Sequence, residues 1–437
     1  MLLTPRWTPL KPHPEQIRLM TSNKRFRLVP AGRRSGKTER AKRYLVKSAL
    51  EEAIAGQWPD YRYFAAAPTR DQAKAIYWND LKAMFPGWLL DGTPRESELC
   101  IRLKTGTEIW VLGMDKPQRI EGRPWNGGIL DEYADMKPEV WGANVRPALA
   151  DRRGWCWLIG VPEGRNHYYD LWQKYSDGSD PDWDGFTWKS IDIVDPAEIE
   201  SARRDLDPLT FAQEFEASFI NFEGRAYYPF EERVHCGSLR YDKRKPLVFT
   251  FDFNVSPGTA AVMQEQVLPN GMQGTGIIGE VYIPRNSTTQ AVCRKLLADW
   301  HMHEGEVRCY GDATGGSQGT AKVDGSDWDL IRRELTPRFG ERLRILVPRS
   351  NPREKVRVNS VNTRLMNTAG DVRLMVDKKR APNVVKDFDG VTLLKGGSGE
   401  IDKRANEALT HLTDGIGYYI VYEFPIKGNK GEVSSLW

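Results

Sequence analysis

The most constraining feature of this sequence is a glycine-containing loop at the junction of a strand-like and a helix-like segment. Residues 25–32 (RFRLVPAG) predict a strand, residues 38–53 predict a helix, and residues 31–38 at the junction read AGRRSGKT. A phosphate-binding loop has a glycine, four residues and then Gly-Lys-Ser/Thr, in the same strand–loop–helix order. Ala31 stands at the first glycine position, so one residue departs from this pattern. The junction therefore predicts an α/β domain with an anion-binding helix N-terminus.

The rest of the first half continues this alternation of strands and helices. Residues 62–68, 107–113 and 154–162 are strand candidates, and residues 69–85 follow the first of them as a helix. Such alternation is typical of a mostly parallel sheet with helices on both faces. We therefore predict an α/β fold for the first half.

Individual residues of the loop can be assigned roles in binding ATP. Lys37 would neutralise the β- and γ-phosphates, and the Thr38 hydroxyl would lie on a Mg²⁺ ion. Asp131, which follows an apolar strand, would hold that Mg²⁺ through water, and Glu132 would activate the attacking water. An incidental Gly-Lys-Thr and an acidic turn are the alternatives. The predicted nucleotide-binding residues are Gly32, Arg33, Arg34, Ser35, Gly36, Lys37, Thr38 and Asp131.

Hydrolysis of ATP also needs positive charge near the developing negative charge on phosphate. Arg33 and Arg34 are candidates within the same chain, and Arg119 and Arg123 could act on a neighbouring subunit. Each could instead be a surface residue. Together these assignments predict a P-loop ATPase core over residues 1–175.

Two acidic residues in the second half occupy strand ends. Residues 245–255 predict a strand that contains Asp252, residues 259–265 and 274–284 predict a hairpin, and residues 306–313 predict a later strand that ends near Asp312. Carboxylates on adjacent strands suit Mg²⁺ or Mn²⁺, and paired ions there could cleave a phosphodiester. Ordinary turn residues are the alternative.

A third carboxylate for this site is harder to choose from the residues alone. Asp414 lies in a predicted helix at 407–422, but off its apolar stripe, so a solvated position is equally compatible with helical spacing. Its competitors are Asp387, Asp389 and Asp402.

A run of basic residues lies between these acids and could follow a phosphate backbone, although a solvated face is the usual explanation of such a run. Its members are Arg349, Arg353, Lys355, Arg357, Arg364, Lys378, Lys379 and Arg380.

Length and composition favour two domains in a cytoplasmic protein. A chain of 437 residues is too long for one ordinary core, and its five cysteines stand singly, which argues against a disulfide framework or a structural zinc site. No apolar run approaches the roughly 20 residues of a membrane span. After the core at 1–175, we predict a lid or linker at 176–240, a mixed-sheet domain at 241–425 and a flexible tail at 426–437.

As an ordered set, these motifs resemble the large terminase subunits of tailed bacteriophages. AGRRSGKT is similar to the terminase Walker A motif, with Gln16 upstream where the family has an adenine-contacting glutamine. APTRDQA (67–73) is similar to the segment after the second strand, and QRIEGRPWNGGILDEYADM to the approach to Walker B. VPEGRNHYYDLW (161–172) resembles the coupling motif, with Val161 in place of the more usual threonine.

The resemblance implies a packaging motor that hydrolyses ATP and cuts DNA. It implies a C-terminal ribonuclease-H-like nuclease domain, in which Asp252, Asp312 and Asp414 match the metal-binding acids in order. The implied partners are double-stranded DNA, a portal protein, a small terminase subunit and copies of the chain itself, as a ring on the procapsid and a monomer in solution. The implied location is the host cell cytoplasm during infection, without membrane association.

Two other functions remain open at this stage. A helicase- or repair-type ATPase fused to a nuclease would share the loop and the acidic pair, but would add a second nucleotide-binding fold, which we do not find after residue 245. A non-catalytic assembly or DNA-binding protein would not need Lys37, Thr38, Asp131 and Glu132.

Overall fold

The computed structural model describes residues 4, 6–220, 223–253, 256–313, 326–394, 399–406 and 409–426, with backbone only at 52–55. The chain divides into two compact units. Unit 1 comprises Met1–Ile199 and Ala212–Asn221, and unit 2 comprises Glu200–Phe211 and Phe222–Trp437. The segment 176–240 thus contributes to both units. The predicted tail lies outside the described residues from 427 onward.

Unit 1 contains a seven-stranded sheet in the order β3-β4-β2-β5-β6-β1-β7. Every neighbouring pair is parallel except the antiparallel edge pair β3–β4. The central strands β1, β5 and β6 are buried along their whole length, as strands covered on both faces must be. The strands are β1 (Phe26–Pro30), β2 (Arg62–Ala67), β3 (Cys100–Arg102), β4 (Glu108–Gly113), β5 (Gly127–Asp131), β6 (Trp155–Gly160) and β7 (Trp183–Gly185).

The helices of unit 1 connect these strands. The predicted helix at 69–85 is interrupted by a π-helical turn at Lys74–Trp78, and a second π-helical segment covers Val140–Val145. The helices are α1 (Pro14–Thr21), α2 (Lys37–Ala55), α3 (Arg70–Ala73), α4 (Asn79–Met84), α5 (Arg146–Ala148) and α6 (His167–Tyr175). Two more, α7 (Pro196–Asp205) and α8 (Pro208–Glu216), contain points where the chain passes between the units.

Unit 2 contains a six-stranded mixed sheet in the order β12-β11-β8-β9-β10-β13. Strands β8, β9 and β10 form the predicted antiparallel hairpin series, while β11 pairs with β8 in parallel. The strands are β8 (Leu247–Asp252), β9 (Gly258–Val267), β10 (Gln273–Ile283), β11 (Val307–Gly311), β12 (Leu343–Ile345) and β13 (Leu374–Val376).

The last helix of unit 2 is buried on nearly every face and packs on the sheet. It begins at His411 rather than at the predicted residue 407, and residues 407–408 lie outside the described part of the chain. The helices of this unit are α9 (Glu232–His235), α10 (Thr289–Trp300), α11 (Asp327–Phe339), α12 (Glu354–Leu365), α13 (Pro382–Gly390) and α14 (His411–Glu423).

The predicted fold class is confirmed, with a mostly parallel sheet in the first half and a mixed sheet in the second. The predicted lid or linker at 176–240 contains the short edge strand β7, which the turn-rich composition around it conceals. None of the described helices is long and apolar enough to cross a membrane.

Candidate nucleotide site and acidic site

The loop at residues 31–38 lies between β1 and α2, at the carboxyl end of the sheet. Gly36, the N-cap of α2, has a φ of 85°, and Arg34 has a φ of 56°, so the backbone turns sharply twice before the helix begins. Gly32 has no room for a side chain, because a Cβ there would lie 2.4 Å from the Ser190 hydroxyl oxygen. The N–H groups of the first turn of α2 have no partner within that helix.

Lys37 is buried without a salt bridge. Its residue is 6% exposed, and among the described residues its ammonium group makes neither a salt bridge nor a hydrogen bond. The Ser35 hydroxyl is also fully buried and has no hydrogen-bond partner in the described part of the chain. The Lys37 charge interacts with the Asp131 carboxylate and lowers the pKa of that group, whereas a hydroxyl buried like that of Ser35 is costly unless a ligand compensates. An anion such as phosphate fits both groups.

Asp131 lies beside this loop because β5 and β1 flank β6 in parallel. In the register of the sheet, Asp131 is level with Ile159 of β6, and Pro30 is level with Gly160. Its Oδ2 atom accepts hydrogen bonds from the Thr38 hydroxyl (3.0 Å) and the Tyr77 hydroxyl (2.8 Å). Burial, and secondly the charge of Glu132, raise the pKa of Asp131 to about 6. A cation at Thr38 and Asp131 would favour the ionised carboxylate.

Glu132 follows Asp131 in a left-handed conformation, with a φ of 51°. This conformation is uncommon for a non-glycine residue and is concentrated at functional sites. The Glu132 N–H donates to Asp131 Oδ1 at 3.0 Å, and its half-buried carboxylate lies near Gly160 at the end of β6. The two adjacent carboxylates are therefore held in different environments at the same edge of the sheet.

The four candidate arginines are all exposed, in different surroundings. Arg33 forms a salt bridge with Glu214 at 3.1 Å, and its backbone N–H donates to the Glu214 carbonyl. Arg123 stacks on Trp110, with its guanidinium carbon 4.6 Å from the ring centroid, beside an open cavity of about 540 Å³. Among the described residues, neither Arg119 nor Arg123 makes a hydrogen bond to the loop at 31–38. Their assignment as arginines that stabilise charge during ATP hydrolysis stays a prediction.

Gln16 lies next to the loop, as the resemblance implies. It is 2% exposed, and its amide nitrogen donates to the Ser35 carbonyl at 2.8 Å. Its amide oxygen accepts from Arg40 at 2.8 Å. The VPEGRN segment also lies at this edge, because Val161 directly follows β6, and the Gly164 N–H donates to Gln213.

In unit 2, Asp252 is the last residue of β8, and Asp312 directly follows the neighbouring strand β11. Gly311 of β11 is in register with Phe251 of β8, so the next residue of each strand is one of the two acids. Parallel strands lie about 4.8 Å apart, which places the two backbones close together. The amide of Asn351 donates to Asp312 Oδ1 at 2.8 Å and holds that turn. The two strand ends are therefore neighbours, and the assignment of both acids to one metal site stays a prediction.

Asp414 joins these acids from α14. That helix packs against β8 and β11, the strands at whose ends the other two acids lie. Burial raises the pKa of Tyr418, Arg357 opposes the rise, and the charges of Asp312, Asp414 and Asp252 add to it. The side chain of Asp414 is only 13% exposed and forms a salt bridge with Arg357 at 2.8 Å. The solvated alternative for Asp414 was wrong, because α14 is buried nearly all round and has no solvated face at that position.

The acidic site differs in two ways from the sequence expectation. Among the described residues, no group of three or more His, Cys, Asp or Glu side chains is arranged to hold a metal ion. One Asp252 oxygen instead lies 2.9 Å from His411 Nδ1. The donor chemistry suits a hard cation, but the arrangement as it stands does not form its ligand group.

The competitors of Asp414 have other partners. Asp387 is buried, and its carboxylate accepts the Leu412 N–H at the start of α14. Asp389 forms a half-exposed salt bridge with Arg225, and Asp402 accepts backbone N–H groups of its own loop. Asp387 therefore links α13 to the first turn of α14 through this hydrogen bond.

The basic run is not one surface. Arg357 is 7% exposed, and Arg364 is mostly buried and paired with Glu265 at 2.8 Å. Lys378 forms a salt bridge with Glu232. The interpretation of the whole run as a DNA-tracking face is therefore wrong for Arg357 and Arg364, which point into unit 2 because α12 buries that side.

Sequence reasoning missed three residues of these sites. Tyr77, Arg357 and His411 contact Asp131, Asp414 and Asp252 from positions 54, 57 and 159 residues away in the chain. A polar group within an apolar helical stretch was the available signal for Tyr77. His411 stands three residues before Asp414, one turn away on the same face of a helix, and that spacing could have revealed it.

Comparisons with known proteins agree with this architecture. No protein-family model matches the chain. It is 27% identical over 277 residues to the large terminase subunit of Thermus virus P23-45. That match covers 56% of this chain and 55% of that protein. It is 26% identical over 188 residues to the large terminase subunit of Escherichia phage T5, 42% of each chain. The matches thus span about half the length of these curated relatives.

Solved structures extend the similarity over the whole fold. The large terminase of a thermophilic bacteriophage has a TM-score of 0.61 and 15% identity, covering 95% of this chain and 99% of that one. The same terminase in complex with ADP has a TM-score of 0.61 and 14% identity, covering 94% and 99%.

With its two α/β units and their sheets, the chain has the fold of a phage large terminase. Its relatives by sequence carry the same name, so the resemblance indicated by the motifs is confirmed.

Proposed function

We propose that this chain is the ATP-hydrolysing subunit of a phage DNA-packaging motor and that its second unit cuts DNA. The similarity to large terminase subunits supports this proposal, although the sequence matches span about half the length of those relatives. The helicase-type alternative would need a second P-loop-type sheet, and the sheet of unit 2 is of another kind.

One observation carries the ATPase part of the proposal. Lys37 is buried at a helix N-terminus without a salt bridge among the described residues, beside the unpaired Ser35 hydroxyl. Both groups suit the phosphates of a nucleotide, and the thermophilic phage terminase of similar fold has been solved in complexes with ADP and ATP-gamma-S. Gln16 lies on the same loop, where it could contact the adenine.

The residues around the phosphates would divide the chemistry. Thr38 and Asp131 would hold Mg²⁺, which supplies positive charge to the phosphate oxygens. Glu132 would orient the attacking water and accept its proton. Arg33 or Arg34, or else Arg119 or Arg123 from a neighbouring copy, would stabilise the developing charge.

The nuclease part rests on the three carboxylates of unit 2. Asp252 and Asp312 lie on paired strands and Asp414 lies on the helix packed against them, in the order that the resemblance implies for a ribonuclease-H-like site. Mg²⁺ or Mn²⁺ bound there would polarise a phosphodiester, once the contacts of Asp252 with His411 and of Asp414 with Arg357 had opened.

The partners and the location follow from the same proposal. Double-stranded DNA would be the substrate of both units. A portal protein, a small terminase subunit and further copies of the chain in a ring would complete the motor on the procapsid, in the host cell cytoplasm.

The ATPase proposal is tested by comparing two lysines of α2. Lys37→Ala should weaken binding of a fluorescent ATP analogue about 10- to 100-fold and remove ATP turnover, because it deletes charge-assisted hydrogen bonds to phosphate. Lys47→Ala is the matched control, because Lys47 lies on the same helix, half-exposed and paired with Glu51. Equal affinity in the two variants would contradict the nucleotide site.

A further inference from the structure

Arg357 contacts one of the three carboxylates of the acidic site of unit 2. Its Nη2 atom donates to Asp414 Oδ1 at 2.8 Å, and its Nη1 atom donates to the Tyr418 hydroxyl at 3.0 Å. Both charged side chains are largely buried, at 9% and 13% exposure. Removing one partner of a buried ion pair destabilises the fold, because the charge of the other partner is left uncompensated.

The packing of α12 against α14 produces this contact. A Cβ atom on Gly417 would lie 3.2 Å from the Cβ atom of Arg357, so the absence of a side chain at that position lets the two helices approach closely. The Arg357 guanidinium then lies over the Tyr418 ring, 4.5 Å from its centroid. The ring and the carboxylate together hold the guanidinium in one orientation.

This position conflicts with a divalent cation at the same carboxylate. A divalent cation bound to Asp414 Oδ1 would lie roughly 2.0–2.6 Å from that oxygen. The Arg357 Nη2 atom now lies 2.8 Å from the same oxygen, so the two positions nearly coincide. Two positive groups so close repel each other strongly in a buried site. The conflict agrees with the finding that no described group of acids is arranged as metal ligands.

We propose that Arg357 is a residue of the acidic site, acting as the counter-ion that a divalent cation must displace from Asp414. This inference rests on the proposed nuclease function. It assigns to Arg357 control over cation affinity: while its ion pair with Asp414 is closed, the carboxylates of unit 2 bind divalent cations weakly.

The experiment is a titration of the full chain with Mn²⁺ in the absence of nucleotide, with free Mn²⁺ measured by electron paramagnetic resonance. Arg357→Gln should bind Mn²⁺ at least about tenfold more tightly than the wild type. Arg357→Lys, which keeps the positive charge, should stay close to the wild type. Arg364→Gln is the matched control, since Arg364 is another mostly buried arginine of α12, paired with Glu265.

Asp414→Asn separates failure of this inference from failure of the nuclease proposal. If wild type and Arg357→Gln bind Mn²⁺ equally, and Asp414→Asn removes that binding, the site exists but Arg357 does not control it. If Asp414→Asn changes Mn²⁺ binding in neither background, there is no cation site and the nuclease proposal falls as well. Calorimetric melting of each variant verifies that it is folded.

Discussion

Asp387 allows a quantitative prediction of stability. Its side chain is 3% exposed, and its carboxylate accepts the Leu412 N–H at the N-terminus of α14. Burial raises the pKa of Asp387 from 3.8 to about 7, against the effect of the backbone N–H groups of Leu412 and Thr413. The folded state therefore favours the protonated carboxyl, and the stability from this group is lost as the pH rises from about 4 to about 7.

The substitution Asp387→Asn removes this pH-dependent loss. A difference of about three between the folded and unfolded pKa values corresponds to about 4 kcal/mol. Burying the new amide N–H₂ group costs about 1–3 kcal/mol of that gain. The amide oxygen of asparagine can accept the same N–H group, so the hydrogen bond from Leu412 should persist. The variant should therefore be more stable than the wild type at pH 8 by about 1–3 kcal/mol.

Differential scanning calorimetry at pH 5 and pH 8 measures this effect. For a unit of this size, a gain of 1 kcal/mol raises the melting temperature by about 2–4 °C. The gain should be largest at pH 8 and smaller at pH 5. Asp389→Asn is the control, because Asp389 lies on the same helix in a half-exposed salt bridge. A lower melting temperature for Asp387→Asn than for wild type at pH 8 would refute the reasoning.

Three further predictions concern activity. Glu132→Gln should lower ATP turnover about 10²- to 10⁴-fold and leave nucleotide affinity unchanged, as steady-state kinetics and equilibrium binding will show; normal turnover would mean that Glu132 is not the base. Tyr77→Phe removes one hydrogen bond to Asp131 and should raise the Mg²⁺ concentration needed for half-maximal nucleotide binding about tenfold; an unchanged requirement would make Tyr77 purely structural. Asp252→Asn should stop plasmid cutting in Mn²⁺ while ATP turnover continues; cutting that persists would exclude the acidic site of unit 2.

Local patterns were sufficient for much of the fold and for the loop between β1 and α2. The strand, the loop and the start of α2 are contiguous, so residues 31–38 carry the anion-binding geometry in their own order. The apolar strand before Asp131 and Glu132 was also readable, because a fully buried parallel strand is apolar along its whole length. Strand order was not readable, since it depends on which strands pair across the sheet.

The acidic site shows the limit of local reasoning most clearly. From helical spacing alone, a solvated position and a buried position of Asp414 were equally possible. Spacing describes a single helix and not the elements that pack around it. The same limit applied to Arg357, which belongs to a charge run in the sequence and to a buried ion pair in the structure.

By itself, the sequence determined the two α/β halves, the glycine-containing loop at residues 31–38 and the order of the acids along the chain. Only the tertiary structure decided the partners of those acids. Tyr77 reaches Asp131, Arg357 reaches Asp414, and His411 reaches Asp252 across sheets and helices. The physical reason is that the charge state and cation affinity of a buried carboxylate depend on the few groups within hydrogen-bonding distance, and chain folding brings those groups from distant parts of the sequence.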